Sequence, residues 1–176
     1  MLPDGALLHD LDPHEDDRGV FTELFRDSWE LPVAPAQWNV VRSAENVLRG
    51  VHVHWRHADF LTVVAGRATI GLFDLRERSP TEGVGTTIEL TAERPKAITI
   101  PTGVARGFYF HESSIHVYAV SHEWDPADEL GCRWDDPALA IPWPCSDPLL
   151  SNRDRELGGL SALRNAWRAA FAAAPS

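Results

Sequence analysis

Apolar and polar residues alternate along this chain in short runs rather than in helical stripes. The segments 19–25 (GVFTELF), 46–55 (NVLRGVHVHW), 60–66 (FLTVVAG), 68–75 (ATIGLFDL), 86–91 (TTIELT), 97–101 (AITIP), 107–111 (GFYFH) and 115–121 (IHVYAVS) are rich in β-branched and aromatic residues. Gly, Pro, Asp and Ser punctuate them, as they do between strands. Evenly spaced short strands predict an all-β sandwich or barrel of antiparallel strands, with room for a ligand inside a barrel. The pattern changes only near the end, where Leu160, Leu163, Trp167, Ala170 and Phe171 recur at three- and four-residue spacing. That stripe predicts one helix over 158–174, packed against the barrel wall.

Composition narrows the picture. At 176 residues, 44% hydrophobic and 24% charged, the chain suits one soluble domain spanning 1–176, with its barrel core over 15–155. No apolar run approaches the roughly 20 residues of a membrane helix. The acidic start MLPDGALLHDLDPHEDDRG does not read as a secretion signal, so a cytoplasmic address is expected and no membrane partner. Cys132 and Cys145 form no C-x-x-C pair, which predicts reduced thiols. A net charge of −10 argues against nucleic acid as a partner, although a few local arginines suffice to hold a phosphorylated small molecule.

The candidate chemistry is densest in RGVHVHWRHADF, residues 49–60. Side chains two apart on a strand share a face, so His52 and His54 point one way while Val51 and Val53 point the other. A turn at Arg56, His57 and Ala58 brings the Asp59 carboxylate alongside, and His52, His54 and Asp59 then make a possible facial triad for a divalent metal ion. The spacing resembles the first metal motif of the cupins, with Asp for the usual Glu. The second cupin motif ends in a histidine ligand, whereas PTGVAR (101–106) ends in Arg106. A guanidinium beside a dication is unfavourable, which favours a site with no metal. His57, in the turn, is given no role.

Seven motifs in register, DDRGVFTELF (16–25), QWNVVRS (37–43), VLRGVH (47–52), IPTGVARGF (100–108), VYAVSHEWDPADELGCRWDDP (117–137), IPWP (141–144) and LSNRD (150–154), resemble the dTDP-4-dehydrorhamnose 3,5-epimerase family of RmlC-like cupins. The resemblance implies a jelly-roll barrel, a homodimer, no cofactor, and a dTDP-4-keto-6-deoxyhexose as substrate in deoxysugar synthesis. It makes His52 the base that removes a proton beside the keto group, with Asp154 as its partner; by itself Asp154 reads equally as a helix cap or a surface pair of Arg153 or Arg155. Arg18 and Arg49 match arginines that clamp the diphosphate. Glu23, Gln37 and Asn39 match residues around the thymine and sugar, and Phe21 matches an aromatic neighbour or a core residue.

Four positions depart from that pattern. Trp124 stands where the resemblance places an acid-capable tyrosine, Asp59 replaces a lysine, Arg106 a histidine and His54 a glutamine. Arg106 and Asp59 read as one linked exchange, the arginine serving as oxyanion stabiliser and the aspartate orienting it. With indole unable to deliver a proton, the donor becomes water, Tyr118 or His54. Three activities follow: an epimerase with an altered acid, a metal-dependent cupin (oxygenase or isomerase) using His52, His54 and Asp59, and a repurposed relative that binds a polar metabolite or runs another reaction.

Overall fold

The computed structural model describes residues 1–29 and 31–173, with the backbone alone for residue 127 and residues 171–173. The Phe171 side chain and residue 174 of the expected helix therefore lie outside the described residues. Twelve strands form: β1 (Leu7–Asp10), β2 (Pro13–Asp16), β3 (Gly19–Thr22), β4 (Gln37–Ser43), β5 (Leu48–His54), β6 (Asp59–Ala65), β7 (Arg67–Asp74), β8 (Gly85–Thr91), β9 (Lys96–Ile100), β10 (Val104–Phe110), β11 (Ser114–Val120) and β12 (Glu129–Gly131). Two helices follow, α1 (Asn152–Arg155) and α2 (Leu160–Ala173).

The strands build two five-stranded antiparallel sheets, β1-β9-β6-β11-β4 and β12-β5-β10-β7-β8, plus the β2–β3 hairpin. Leu61, Val63, Ile98 and Ile100 of the first sheet meet Ile70, Leu72, Leu90 and Phe110 of the second in one buried cluster. This is the expected jelly-roll barrel. At about 1.5–3 kcal/mol per fully buried large apolar side chain, such a cluster holds the sheets together.

Strand β5 obeys the predicted alternation. Val51 and Val53 are fully buried in a second cluster with Leu160, Leu163 and Trp167 of α2, while His52 and His54 face into the barrel. The helix thus clamps the back of the strand that carries the histidines. Two expectations change. The run 19–25 stops as a strand at Thr22, and the Glu23 side chain turns to Arg26 instead. Strand β4 was hidden because its polarity is inverted: Trp38 and Val40 are 44% and 68% exposed, whereas Asn39 points inward.

Candidate active site

A cavity of about 480 Å³ opens between the sheets at one end of the barrel. That volume lies in the range of small-molecule sites. Its lining comes from β4, β6 and β11 on one side and from β5, β10 and β12 on the other, closed by 149–154.

One wall is built around His52. Register sets His52 opposite Arg106 on β10 and opposite Gly131 on β12. The close approach of β5 to β10 depends on Gly50, whose φ is +113° and where a Cβ would meet the Arg106 carbonyl oxygen at 2.8 Å. Only glycine adopts that backbone readily. The Ser151 hydroxyl accepts a hydrogen bond from the Asp154 amide and so starts α1, which turns the Asp154 carboxylate inward. Asp154 is 4% exposed, and its Oδ1 lies 2.7 Å from His52 Nε2. It is therefore neither a surface partner of the neighbouring arginines nor the cap itself. Burial pushes its pKa up, but hydrogen bonds from His52, Ser151 and the Gly50 amide outweigh that and hold it below the usual carboxylate range. A second carboxylate, Glu129, places Oε1 3.3 Å from His52 Nδ1 and is itself held by Arg153 at 2.6 Å. His52 thus stands between two carboxylates, and the second was missed because Glu129 stands opposite His54 across β12–β5 and reaches His52 only diagonally.

The other wall is dry. Arg106, 6% exposed, binds the buried Asp59 carboxylate at 2.6 and 2.7 Å. The two substitutions noted in the sequence are therefore one ion pair. Burial raises the Asp59 pKa, and Arg106 opposes that rise. The predicted metal triad does not assemble, because His52 is engaged by Asp154 and Asp59 by Arg106. His54 turns to different partners: His57, with ring centroids 3.9 Å apart, and Asp128, 3.7 Å from His54 Nδ1. His57, assigned no role from the sequence, is 2% exposed and lies at the centre of this wall, with Nδ1 2.9 Å from Asp128 and Nε2 3.4 Å from Arg106. Its neighbours come from β6, β10 and the segment before β12. Burial lowers both imidazole pKa values, His54 to about 2.

From the opposite sheet come Tyr118 on β11, half-buried, and Asn39 on β4. Tyr118 is the one tyrosine lining the cavity among the described residues, and burial raises its pKa. Trp124 lines the mouth and is 52% exposed. Gln37 stands behind the lining and links the two, donating to Asn39 Oδ1 at 2.8 Å and accepting from the Trp124 amide at 3.0 Å.

Arg49 lines the cavity, steadied by the Ser43 hydroxyl at 3.0 Å. Arg18, Phe21 and Glu23 are not brought to it in a single chain. Arg18 pairs with Asp16 on the β2–β3 hairpin, Glu23 pairs with Arg26, and Phe21 is 63% exposed, so Phe21 is no core residue either.

The cavity of this jelly-roll barrel brings a histidine–carboxylate pair and a phenol, groups able to exchange protons, into one space on a cupin fold. The chain belongs to the dTDP-4-dehydrorhamnose 3,5-epimerase family, whose sequence model matches residues 3–162. It is 40% identical over 153 residues to dTDP-4-dehydrorhamnose 3,5-epimerase of Pseudomonas aeruginosa, covering 80% of this chain and 83% of that protein. Among solved structures, RmlC of Legionella pneumophila in complex with dTDP-4-keto-L-rhamnose superposes with a TM-score of 0.85 at 28% identity, over 92% of this chain and 90% of that one. ChmJ of Streptomyces bikiniensis, a 3'-monoepimerase, was solved with dTDP as a double mutant lacking one histidine and one tyrosine. It superposes with a TM-score of 0.85 at 29% identity, over 96% of this chain and 94% of that one.

Proposed function

We propose that the chain epimerises a dTDP-4-keto-6-deoxyhexose by proton removal and return at a carbon next to the keto group. One observation carries this: His52, hydrogen-bonded to buried Asp154 on one sheet, shares a cavity with Tyr118 on the other. Inversion needs a base on one face of the sugar carbon and an acid on the opposite face, and two facing sheets supply them. Asp154 fixes the imidazole tautomer and stabilises the imidazolium that forms. Tyr118 then returns the proton from the far side, which removes the need for an acid at Trp124. Arg106 faces the oxygen that gains charge, its own charge moderated by Asp59. These transfers move protons only, so no redox cofactor is required.

The diphosphate falls to Arg49 and, in a homodimer, to Arg18 of the second copy. A two-stranded ribbon is marginal by itself, and the β2–β3 hairpin pairs only within itself while exposing Val20 and Phe21. Packing against another chain would cover that apolar surface and carry Arg18, Phe21 and Glu23 toward its cavity. The product serves deoxysugar synthesis, for a polysaccharide or a glycosylated natural product, in the cytoplasm; no helix among the described residues is long and apolar enough to cross a membrane. The metal-dependent alternative loses its triad, and a merely binding relative would have no use for the buried dyad. Incubation with dTDP-4-keto-6-deoxyglucose in heavy water tests the reading by NMR: deuterium appears at C3, C5 or both, and its absence from both carbons removes it.

A further inference from the structure

We infer that His54, His57 and Asp128 form a binding site for one first-row transition dication of the zinc class. The three donors lie within 4.8 Å of one another, and all three residues are buried. Each comes from a different segment: His54 ends β5, His57 sits in the β5–β6 turn, and Asp128 precedes β12.

The donor atoms are left over once every other bond in the region is made. Asp128 Oδ1 accepts the Trp55 and Arg56 amides at 2.9 and 3.1 Å, which fixes the carboxylate and leaves Oδ2 facing the two rings. The Nδ1 atoms of His54 and His57 are buried and lie 3.7 and 2.9 Å from Asp128 Oδ2, yet neither makes a well-formed hydrogen bond with a described residue. Buried polar atoms of folded proteins find partners, and an unpaired pair aimed at one carboxylate oxygen calls for a shared one. Two imidazole nitrogens and a carboxylate oxygen suit borderline dications such as Zn²⁺ and Co²⁺, and discriminate against Mg²⁺ and Ca²⁺.

The nearby guanidinium does not forbid a cation. Arg106 is neutralised by Asp59 at 2.6 Å, and it faces Nε2 of His57, the nitrogen on the other side of the ring from Nδ1. Ligation through Nδ1 puts the proton on Nε2, which then gives up the Arg106 contact at 3.4 Å and turns toward Asp59 Oδ1, 3.8 Å away. His54 and His57 also line the cavity, so an ion there fixes the wall on which Arg106 stands. The competing arrangement keeps the proton on His57 Nδ1, directed at Asp128, with Nε2 accepting from Arg106.

The full-length chain, stripped with a chelator, is titrated with Zn²⁺ against a chromophoric competitor and with Co²⁺ by visible absorption, both without substrate, so the result does not depend on the epimerase reading. We expect one equivalent bound by the wild-type chain. His54→Gln and Asp128→Asn should each weaken binding by at least about tenfold, while His52→Asn leaves it unchanged. Asp128→Asn keeps the oxygen that holds the two amides, and circular dichroism confirms that each variant is folded; should either fail to fold, the other carries the comparison. Absence of stoichiometric binding by the wild-type chain overturns the site, as does equal binding by all variants, which would be an adventitious ion only.

Discussion

His52 and His54 stand two residues apart on one face of one strand, and the fold treats them oppositely. The His52 side chain is 19% exposed and has a carboxylate at 2.7 Å on one nitrogen and another at 3.3 Å on the second. His54 is 6% exposed, its nearest carboxylate oxygen is 3.7 Å away, and burial pushes its pKa down to about 2. The difference lies in the neighbouring strands. β12 and α1 bring carboxylates up to His52, whereas Arg106 and the His57 ring crowd His54 and repel a proton from it. A wet imidazole with a fixed carboxylate is built to trade protons; a dry one beside a guanidinium is built to stay neutral.

The comparison breaks first at the wet histidine. His52→Asn should lower kcat by about 10²–10⁴-fold, the span of a lost general base, while His54→Gln in metal-free protein leaves most of the activity. Steady-state kinetics with the 4-keto sugar measure both. If His54→Gln is the more damaging, the roles given to the two residues are reversed.

The dry wall makes a crossed prediction. Arg106→Ala should abolish turnover, by about 10²–10³-fold, because it removes the charge facing the oxyanion, and Asp59→Asn should impair turnover less. Stability should run the other way. Without Arg106, Asp59 can take up a proton, and burial already raises its pKa; without Asp59, Arg106 cannot shed its charge. Asp59→Asn therefore costs more, about 3–5 kcal/mol for a broken buried pair. Urea denaturation of the two variants, set beside their kinetics, checks the crossing, and parallel losses in both measures would undo it.

Tyr118→Phe separates the two proton transfers. His52 still abstracts in this variant, so deuterium from heavy water should enter the substrate while epimerisation falls by about 10²-fold. Equal loss of exchange and inversion would mean that Tyr118 does not act as the acid.

Much of this contrast was legible in the sequence, because it rests on period and spacing. The alternation VHVH places both imidazoles in the barrel and both valines under α2. The linked exchange of Asp59 and Arg106 was readable as a charge compensation between two motifs 47 residues apart, and the structure makes it one ion pair. What stayed hidden depends on register. Glu129 and Asp128 sit in PADELG; β12 pairs with β5 and brings Glu129 to the cavity, while Asp128, just before the strand, is buried beneath the β5–β6 turn whose amides it accepts. Local sequence gives His57 no role; only the side chains that β6, β10 and the segment before β12 bring to it make it part of the wall. The placement of Arg18 was beyond one chain's sequence for another reason, since the hairpin that carries it leaves the cavity of its own chain.

The smallest effect concerns a third dry imidazole, His116, which extends the contrast from catalysis to stability. It is 2% exposed, stacked near Phe110 and Tyr118, and burial with the Arg49 charge lowers its pKa to about 4. The unfolded chain regains the ordinary value of about 6.5, so between those values it binds a proton that the folded chain refuses. Its stabilising share is whole above pH 6.5 and is lost as the pH falls toward 4, by about 1.4 kcal/mol per unit and so about 2 kcal/mol at pH 5. The depressed carboxylate of Asp154 works in a lower window: its share is present above the ordinary value of 3.8 and is lost as the pH falls below it. Urea denaturation at pH 7 and pH 5 should therefore give a difference that shrinks by about 2 kcal/mol in His116→Gln, whatever that substitution costs at neutral pH. An undiminished difference would show that His116 titrates in the folded chain as it does in the unfolded one.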